Sequence, residues 1–94
     1  MPAVEVQFHG LWGLYLGSGK TRIEADTVRQ LFVLVENRFG VTLRQRIMER
    51  GAKLDGEIIK YSYMALNTTG LKQLKNDDLK PGDVLHIFPS IAGG

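Results

Sequence analysis

Alternating apolar and polar residues near the start of the chain predict a strand. In residues 3–9 every second side chain is apolar, which is the period of a strand with one buried face. Val4, Val6 and Phe8 are therefore expected to face the core. Residues 20–25 show a similar pattern and predict a second strand, antiparallel to the first.

The stretch between these strands is apolar but is interrupted by glycine. We predict that residues 11–16 form a long hairpin connection, with Trp12 packed over one end of the sheet. Residues 17–21 imitate the end of a phosphate-binding loop. That motif requires a glycine where Leu14 stands, and it must open a helix, whereas a strand is predicted to follow. A hairpin turn is the favoured interpretation.

The clearest helical pattern follows Asp26 and Thr27, whose side-chain oxygens can bind the free amides of a first helical turn. Apolar residues then recur at the spacing of one helix face; they are Val28, Leu31, Phe32, Val35 and Phe39. Gly40 predicts the end of this helix. A shorter second helix is predicted over residues 43–50, with Gly51 as its end.

The second half of the chain predicts strands separated by turns. Residues 58–67 form a strand region, residues 67–70 and 80–83 form turns, and residues 71–79 hold an edge strand or a single helical turn. Two alternating sets in the strand region compete for the core: Ile58, Met64 and Leu66, or Ile59, Tyr61, Tyr63 and Ala65. We place Met64 and Leu66 inward, because the tyrosine hydroxyls then stay in water.

The last strand covers residues 83–88 and is followed by Pro89, which has no amide N–H and is expected to end strand pairing. A period of two divides this strand into a core set and an outer set: Leu85 and Ile87 against Val84, His86 and Phe88. An exposed aromatic beside the chain end suits a binding hot spot. Phe88, Pro89 and His86 are the candidate partner-binding residues, and His86 is given no catalytic role. Alternatively, Phe88 only covers the end of the sheet.

Composition indicates one small globular domain. The chain has 94 residues, of which 44% are hydrophobic and 23% charged, and its net charge is +2. Because lysine and arginine are scattered, no nucleic-acid-binding surface is predicted. No apolar run reaches the roughly 18 residues of a membrane span, and the start does not resemble a signal peptide. We therefore expect a cytoplasmic protein.

The absence of cysteine excludes disulfides, thiolate metal sites and a cysteine nucleophile. His9 and His86 lie far apart in the sequence and lack the spacing of a metal site, so no metal is predicted. The sequence closes with Gly93 and Gly94. Glycine has no Cβ, so this thin end could enter a narrow channel and present its α-carboxylate to another protein.

The C-terminal segment, residues 79–94, resembles the tail of the ubiquitin-like sulfur carriers of the MoaD/ThiS family, with Pro81 and Ser90 departing from the family pattern. Residues 27–40 resemble the first helix of that family, and residues 64–67 resemble its V-A-V-N segment. The order of elements indicates the α+β class and the β-grasp (ubiquitin-like) fold. We expect a mixed sheet of about five strands packed by one main helix.

The predicted domain comprises residues 1–94, with residues 89–94 as an extended, flexible Gly-Gly tail. In the β-grasp fold the first and last strands lie side by side and parallel. The tail is therefore expected to leave from an edge region of the sheet that is held in place by the centre of the sheet.

The resemblance implies a function for the chain end. The Gly94 carboxylate would be adenylated, converted to a thiocarboxylate and used to donate sulfur in molybdopterin (molybdenum or tungsten cofactor) biosynthesis. Gly93 would give access, while Ile91 and Ala92 would line the partner's channel. The chain would be a non-catalytic carrier without a bound cofactor. A MoeB/ThiF-like adenylating enzyme would consume ATP, and a MoaE-like large subunit would receive the sulfur.

Three alternatives remain open at the level of sequence. The same activated Gly94 could be conjugated to lysines, which would make the chain a ubiquitin-like protein modifier. Its sulfur could instead serve thiamine synthesis or tRNA thiolation. The domain could also be a plain interaction module whose tail has no chemical role.

Overall fold

A computed structural model describes residues 1–51 and 56–90 of the chain. Its strands are β1 (Ala3–Phe8), β2 (Lys20–Glu24), β3 (Ser62–Leu66), β4 (Thr69–Gly70) and β5 (Val84–Pro89). Its α-helices are α1 (Leu11–Leu16), α2 (Val28–Val35) and α3 (Val41–Glu49). A π-helical segment, Glu36–Gly40, joins α2 to α3, and short 3-10 turns cover Ile58–Tyr61 and Leu71–Gln73.

The five strands form one mixed sheet in the order β2-β1-β5-β3-β4. β1 pairs with β5 in parallel, and the other neighbouring strands are antiparallel. In residues 1–51 and 56–90 the helices pack on one face of this sheet, and the side chains of the other face, here called the open face, are half-buried or exposed. The predicted α+β class, the β-grasp fold and the parallel pairing of the first and last strands are all confirmed.

The core lies between the sheet and the helices, and the period of two correctly predicts which strand residues enter it. Val4, Val6 and Phe8 of β1 are buried, as are Leu85 and Ile87 of β5. In β3 the inward residues are Met64 and Leu66, whereas the neighbouring Tyr63 is exposed. Complete burial of an aliphatic side chain contributes about 1.5–3 kcal/mol, so these positions dominate the stability of the sheet.

Residues 11–16 lie in the long connection between the antiparallel strands β1 and β2, as predicted, but they form helix α1, which the sequence did not predict. Trp12 is fully buried, and its indole N–H donates to the Ser62 hydroxyl at 2.9 Å. Gly13 approaches β1 so closely that a Cβ there would lie 2.6 Å from the carbonyl oxygen of Phe8. Gly17 ends the helix in the left-handed region. The strand predicted after this turn is present as β2.

Thr27 begins the main helix as predicted, because its hydroxyl accepts the Gln30 amide at 3.1 Å. Gly40, however, does not end it. The backbone stays helical through the Glu36–Gly40 segment and on into α3, and the chain turns away only after Arg50. Gly51, with φ of 88°, is the helix end that the sequence predicts.

The reason for glycine at position 40 is space. A Cβ there would overlap the carboxylate of Glu36. That carboxylate accepts the Ile58 amide at 2.8 Å and pairs with the Arg44 guanidinium, which also donates to the Gly56 carbonyl. Glu36 therefore fastens the segment before β3 to the main helix, and Gly40 makes room for it.

Two further details of the strands differ from the sequence prediction. The first part of the strand region, Ile58–Tyr61, is a 3-10 turn, and β3 begins at Ser62. Pro89 does not end the pairing, because it belongs to β5 and the following Ser90 amide donates to the Tyr61 carbonyl at 2.8 Å. Successive amides in a strand point to opposite sides, so the Pro89 nitrogen faces the side where β1 has already ended.

We predict that Gly40→Ala destabilises the protein. Helix propensity alone would favour alanine by about 1 kcal/mol. Displacing the Glu36 carboxylate outweighs this gain. Overpacking costs about 1–3 kcal/mol, and loss of the hydrogen-bond acceptor for the Ile58 amide costs about 1–3 kcal/mol more. Urea unfolding should therefore show a net loss of at least about 1 kcal/mol.

Repeating the substitution in a Glu36→Ala background provides the control. The overlap is then absent, so Gly40→Ala should stabilise the protein by about 1 kcal/mol relative to Glu36→Ala. Stabilisation by Gly40→Ala in the wild-type chain would contradict the assigned role of Gly40.

Candidate functional site

The open face of the sheet changes character from one edge to the other. The strand register places basic residues Lys20 and Arg22 of β2 beside Gln7 and Glu5 of β1. Toward β5 and β3 the face becomes aromatic. We call this region the aromatic patch; its members are His9, Tyr63, His86 and Phe88. It is the part of the open face nearest to the end of β5.

The rings of the aromatic patch contact one another directly. Phe88 stacks on His9 with ring centroids 4.3 Å apart and planes inclined by 12°. Tyr63, opposite Phe88 in the β3–β5 register, has its ring centroid 6.1 Å from that of Phe88. Phe88 is 36% and Tyr63 57% exposed, so the stack offers apolar ring surface to a partner.

His9 and His86 form a pair within the patch. His9 Nε2 and His86 Nδ1 are 2.9 Å apart, so one ring nitrogen donates a hydrogen bond to the other. Partial burial lowers the pKa of His9, and the charge of His86 lowers it further. Both effects favour the neutral form of His9, because burial and a nearby positive charge each oppose protonation.

The chain reaches its tail directly beside this patch. β5 is paired on both sides, and the Ser90 amide extends its pairing with the β3 side by one residue. Ile91, Ala92, Gly93 and Gly94 lie outside the described residues, so their predicted roles remain predictions. The described part of the chain therefore ends at a fixed point next to the exposed ring of Phe88.

The three predicted partner-binding residues have different surroundings. Phe88 and His86 lie on the open face as predicted, and both belong to the aromatic patch. Pro89 follows the alternation to the other face of the sheet, where it lies beside Gly10. Whether any of them binds a partner stays a prediction.

The sequence interpretation missed His9 and Tyr63 as members of this surface. The signal for His9 was present in the alternation of residues 3–9, which turns its side chain outward. Placing it beside Phe88 also requires the register of β1 against β5, where Phe8 is opposite Ile87. Tyr63 was predicted to face outward, but its partner Phe88 follows only from the β3–β5 register.

The described residues hold neither a cluster suited to a metal nor a membrane-spanning helix. Within residues 1–51 and 56–90, no group of three or more histidine, cysteine, aspartate or glutamate side chains could hold a metal ion. In the same part of the chain, no helix has both the length and the apolar character needed to cross a membrane.

Comparisons with known proteins give matches in structure only. No protein-family model matches the chain, and no curated protein matches its sequence. The solution structure of small archaeal modifier protein 1 from Methanosarcina acetivorans is 16% identical, with a TM-score of 0.69, and the match covers 100% of this chain and 98% of that one.

Two protein complexes contain similar chains. A chain from the complex of subunits 1 and 2 of the molybdopterin-converting factor of Helicobacter pylori is 23% identical, with a TM-score of 0.60 and coverage of 98% and 99% of the two chains. A chain from the Amycolatopsis orientalis BexX/CysO complex is 22% identical, with a TM-score of 0.62 and coverage of 97% and 99%. At these identities the matches establish the fold: the chain has the β-grasp, ubiquitin-like architecture that its resemblance to the sulfur carriers implies.

Proposed function

We propose that this protein is a sulfur carrier for molybdopterin biosynthesis. The carboxylate of Gly94 is adenylated by a partner enzyme and converted to a thiocarboxylate, and the chain itself is not catalytic. One observation carries the proposal: the central strand of a β-grasp sheet ends beside an exposed aromatic patch, and the sequence continues from there to Gly93 and Gly94.

The distance that the tail can span requires a partner to dock close to the aromatic patch. Ser90 is held by its bond to the Tyr61 carbonyl, and four residues follow it in the sequence. Four fully extended residues span at most about 14 Å. A reaction centre acting on Gly94 must therefore come within that distance of the end of β5, so the enzyme that carries it covers the neighbouring sheet face.

The apolar rings at this face suit such docking. Phe88 and Tyr63 are exposed, and each offers a rigid ring that loses little conformational freedom on binding. Aromatic residues are enriched among the few that dominate binding energy at interfaces. The basic edge at Lys20 and Arg22 lies further away on the same face and would form part of a polar rim.

The chemistry at Gly94 needs activation, because a free carboxylate has no good leaving group. Attack of the carboxylate on the α-phosphorus of ATP forms a mixed anhydride and releases pyrophosphate. A sulfide equivalent then attacks the carbonyl carbon, the C–S bond forms, and the C–O bond to AMP breaks. Glycine leaves this carbon unhindered.

The carrier has no thiol of its own, since the sequence contains no cysteine. The sulfur must therefore come from a partner, and we assign the acid–base groups to the partners as well. We assign adenylation to a MoeB/ThiF-like enzyme and sulfur acceptance to a MoaE-like large subunit, in the cytoplasm. The similarity to a chain in the Helicobacter pylori complex of molybdopterin-converting factor subunits supports this assignment.

A second function, conjugation to proteins, is supported by the similarity to small archaeal modifier protein 1. The same adenylated Gly94 would then be attacked by a lysine amine, and an isopeptide bond would form with release of AMP. Both functions share the fold and the activation step. They differ in the fate of the acyl group, which is a thiocarboxylate on the free chain in one case and a larger conjugate in the other.

We predict that activation depends on the terminal glycine. With ATP and the adenylating enzyme of the same organism, the full chain should support exchange of labelled pyrophosphate into ATP. Deleting Gly94 should reduce this exchange to background, because the remaining carboxylate falls one residue short of the reaction centre. Equal exchange by the shortened chain would contradict the proposal.

We also predict that Phe88→Ala weakens docking. In the same exchange assay, the KM for the carrier should rise about tenfold or more, with a much smaller change in kcat, because the ring contacts the partner away from the reacting atoms. Met48→Ala is a matched control, since Met48 is an exposed apolar residue on α3 and lies away from the open face. A similar KM for both variants would count against docking at the patch.

A further inference from the structure

The two histidines of the chain lie side by side in the aromatic patch. His9 follows β1 and His86 lies within β5, and the parallel pairing of these strands brings their rings together. The 2.9 Å between His9 Nε2 and His86 Nδ1 is a hydrogen-bond distance. A neutral imidazole has one N–H, so one of these nitrogens donates and the other accepts. The bond therefore exists only while one of the two facing nitrogens carries no proton.

A second proton would turn this contact from attraction into repulsion. When both rings are charged, two N–H groups face each other and neither can accept. The Phe88 ring favours a charged His9 through its π face. It contacts His9 at 4.3 Å but does not replace the lost acceptor, so it offsets only part of the repulsion.

The charged groups around the pair do little to offset the repulsion between two protonated rings. On the open face β1 contributes Glu5, whose carboxylate accepts a hydrogen bond from the Gln7 amide at 2.7 Å. β2 contributes Lys20, a further positive charge, opposite Gln7. β3 contributes the phenol of Tyr63. Within β5 the titratable residue is His86 itself.

We propose that His9 and His86 make the docking surface sensitive to protons, so that a partner with a neutral, apolar face binds the aromatic patch while the pair holds at most one proton. This inference rests on the proposed function, because docking at the patch is what the pair would control. It adds a dependence of docking on pH, and it requires the partner to present a neutral, apolar face to the patch.

The type of partner follows from the cost of removing water from the pair. A docked partner that covers Phe88 and Tyr63 also covers the neighbouring imidazoles. The singly protonated or neutral pair enters the interface with its own hydrogen bond intact. Two charged imidazoles would have to lose solvation without compensation, unless the partner supplied a carboxylate. We infer that the partner places no carboxylate beside the two imidazoles.

Docking is expected to weaken in acid. Docking is at full strength above the pKa at which the pair takes its second proton, and it weakens as the pH falls through that value. One pH unit below it, about one-eleventh of the chains are competent, so the apparent Kd rises about tenfold. Acidification should therefore release the partner.

The first test uses the chain alone. Because it contains only two histidines, a pH titration of the imidazole signals by NMR can follow both rings without overlap. His86→Gln should raise the pKa of His9, since the charge of His86 is one of two causes that lower it. An unchanged His9 titration in this variant would show that the rings are not coupled and would overturn the inference.

The second test measures docking. The Kd of the chain for the purified adenylating enzyme of the same organism is determined from about pH 5.5 to pH 8, the range in which histidine titrates. The double variant His9→Gln, His86→Gln should lose the acid weakening of the wild type, and the difference between the two slopes removes titration of the enzyme itself. Arg50→Gln is the control for net charge, because Arg50 follows α3 and lies over the Tyr15 ring on the helical side of the sheet, so the pH dependence of Kd should be unchanged.

The outcomes separate this inference from the proposed function. Equal slopes for the wild type and the double variant, or binding that tightens on acidification, would overturn the inference while docking itself stands. Tightening would indicate a partner carboxylate at the pair. No binding of the wild-type chain at any pH would overturn the proposed function, and with it the inference.

Discussion

The parallel pairing of β1 with β5 is the constraint on which the rest of the structure depends. It joins the two ends of the chain, matching residues 5–8 with residues 84–87 across the middle of the sheet. Closing so long a loop has an entropic cost that only extensive burial can offset, and both strands are lined with buried residues on their inner side. The same pairing places His9 beside Phe88 and holds β5 between two neighbours. The core, the aromatic patch and the origin of the tail thus have one common cause.

The proposed chemistry divides the work between the sheet, which partners recognise, and the Gly-Gly end, which reacts. The sheet fixes Ser90 and the surface beside it. Under the proposed function, the Gly-Gly end would present a carboxylate for other proteins to activate and use. Under that proposal, the partners must recognise the body of the carrier. Specificity then lies in the open face of the sheet. The histidine pair would make that specificity depend on pH.

Periodic patterns predicted the strands, the main helix and the direction of the core side chains, because β1, β5 and α2 each bury one face. Helix α1 was missed because six residues are too few to show a helical period. Gly40 was misread as a helix end and Gly13 was given no role, because glycine can serve an unusual backbone angle or simply leave space. At both positions it leaves space, for the Phe8 carbonyl and the Glu36 carboxylate respectively, which only the fold reveals. Phe88 and His86 were found from β5 alone, whereas His9 and Tyr63 required the register of neighbouring strands.

The intact mass of the chain, purified from its native cells with its adenylating enzyme present, tests the sulfur-carrier function most directly. The predicted result is a mass increase equal to the exchange of one oxygen atom for one sulfur atom, which disappears when Gly94 is deleted. An unmodified mass together with larger conjugates linked through Gly94 would contradict the carrier function and favour the protein modifier. An unmodified mass without conjugates, and no effect of removing Gly93 and Gly94, would leave only an interaction domain.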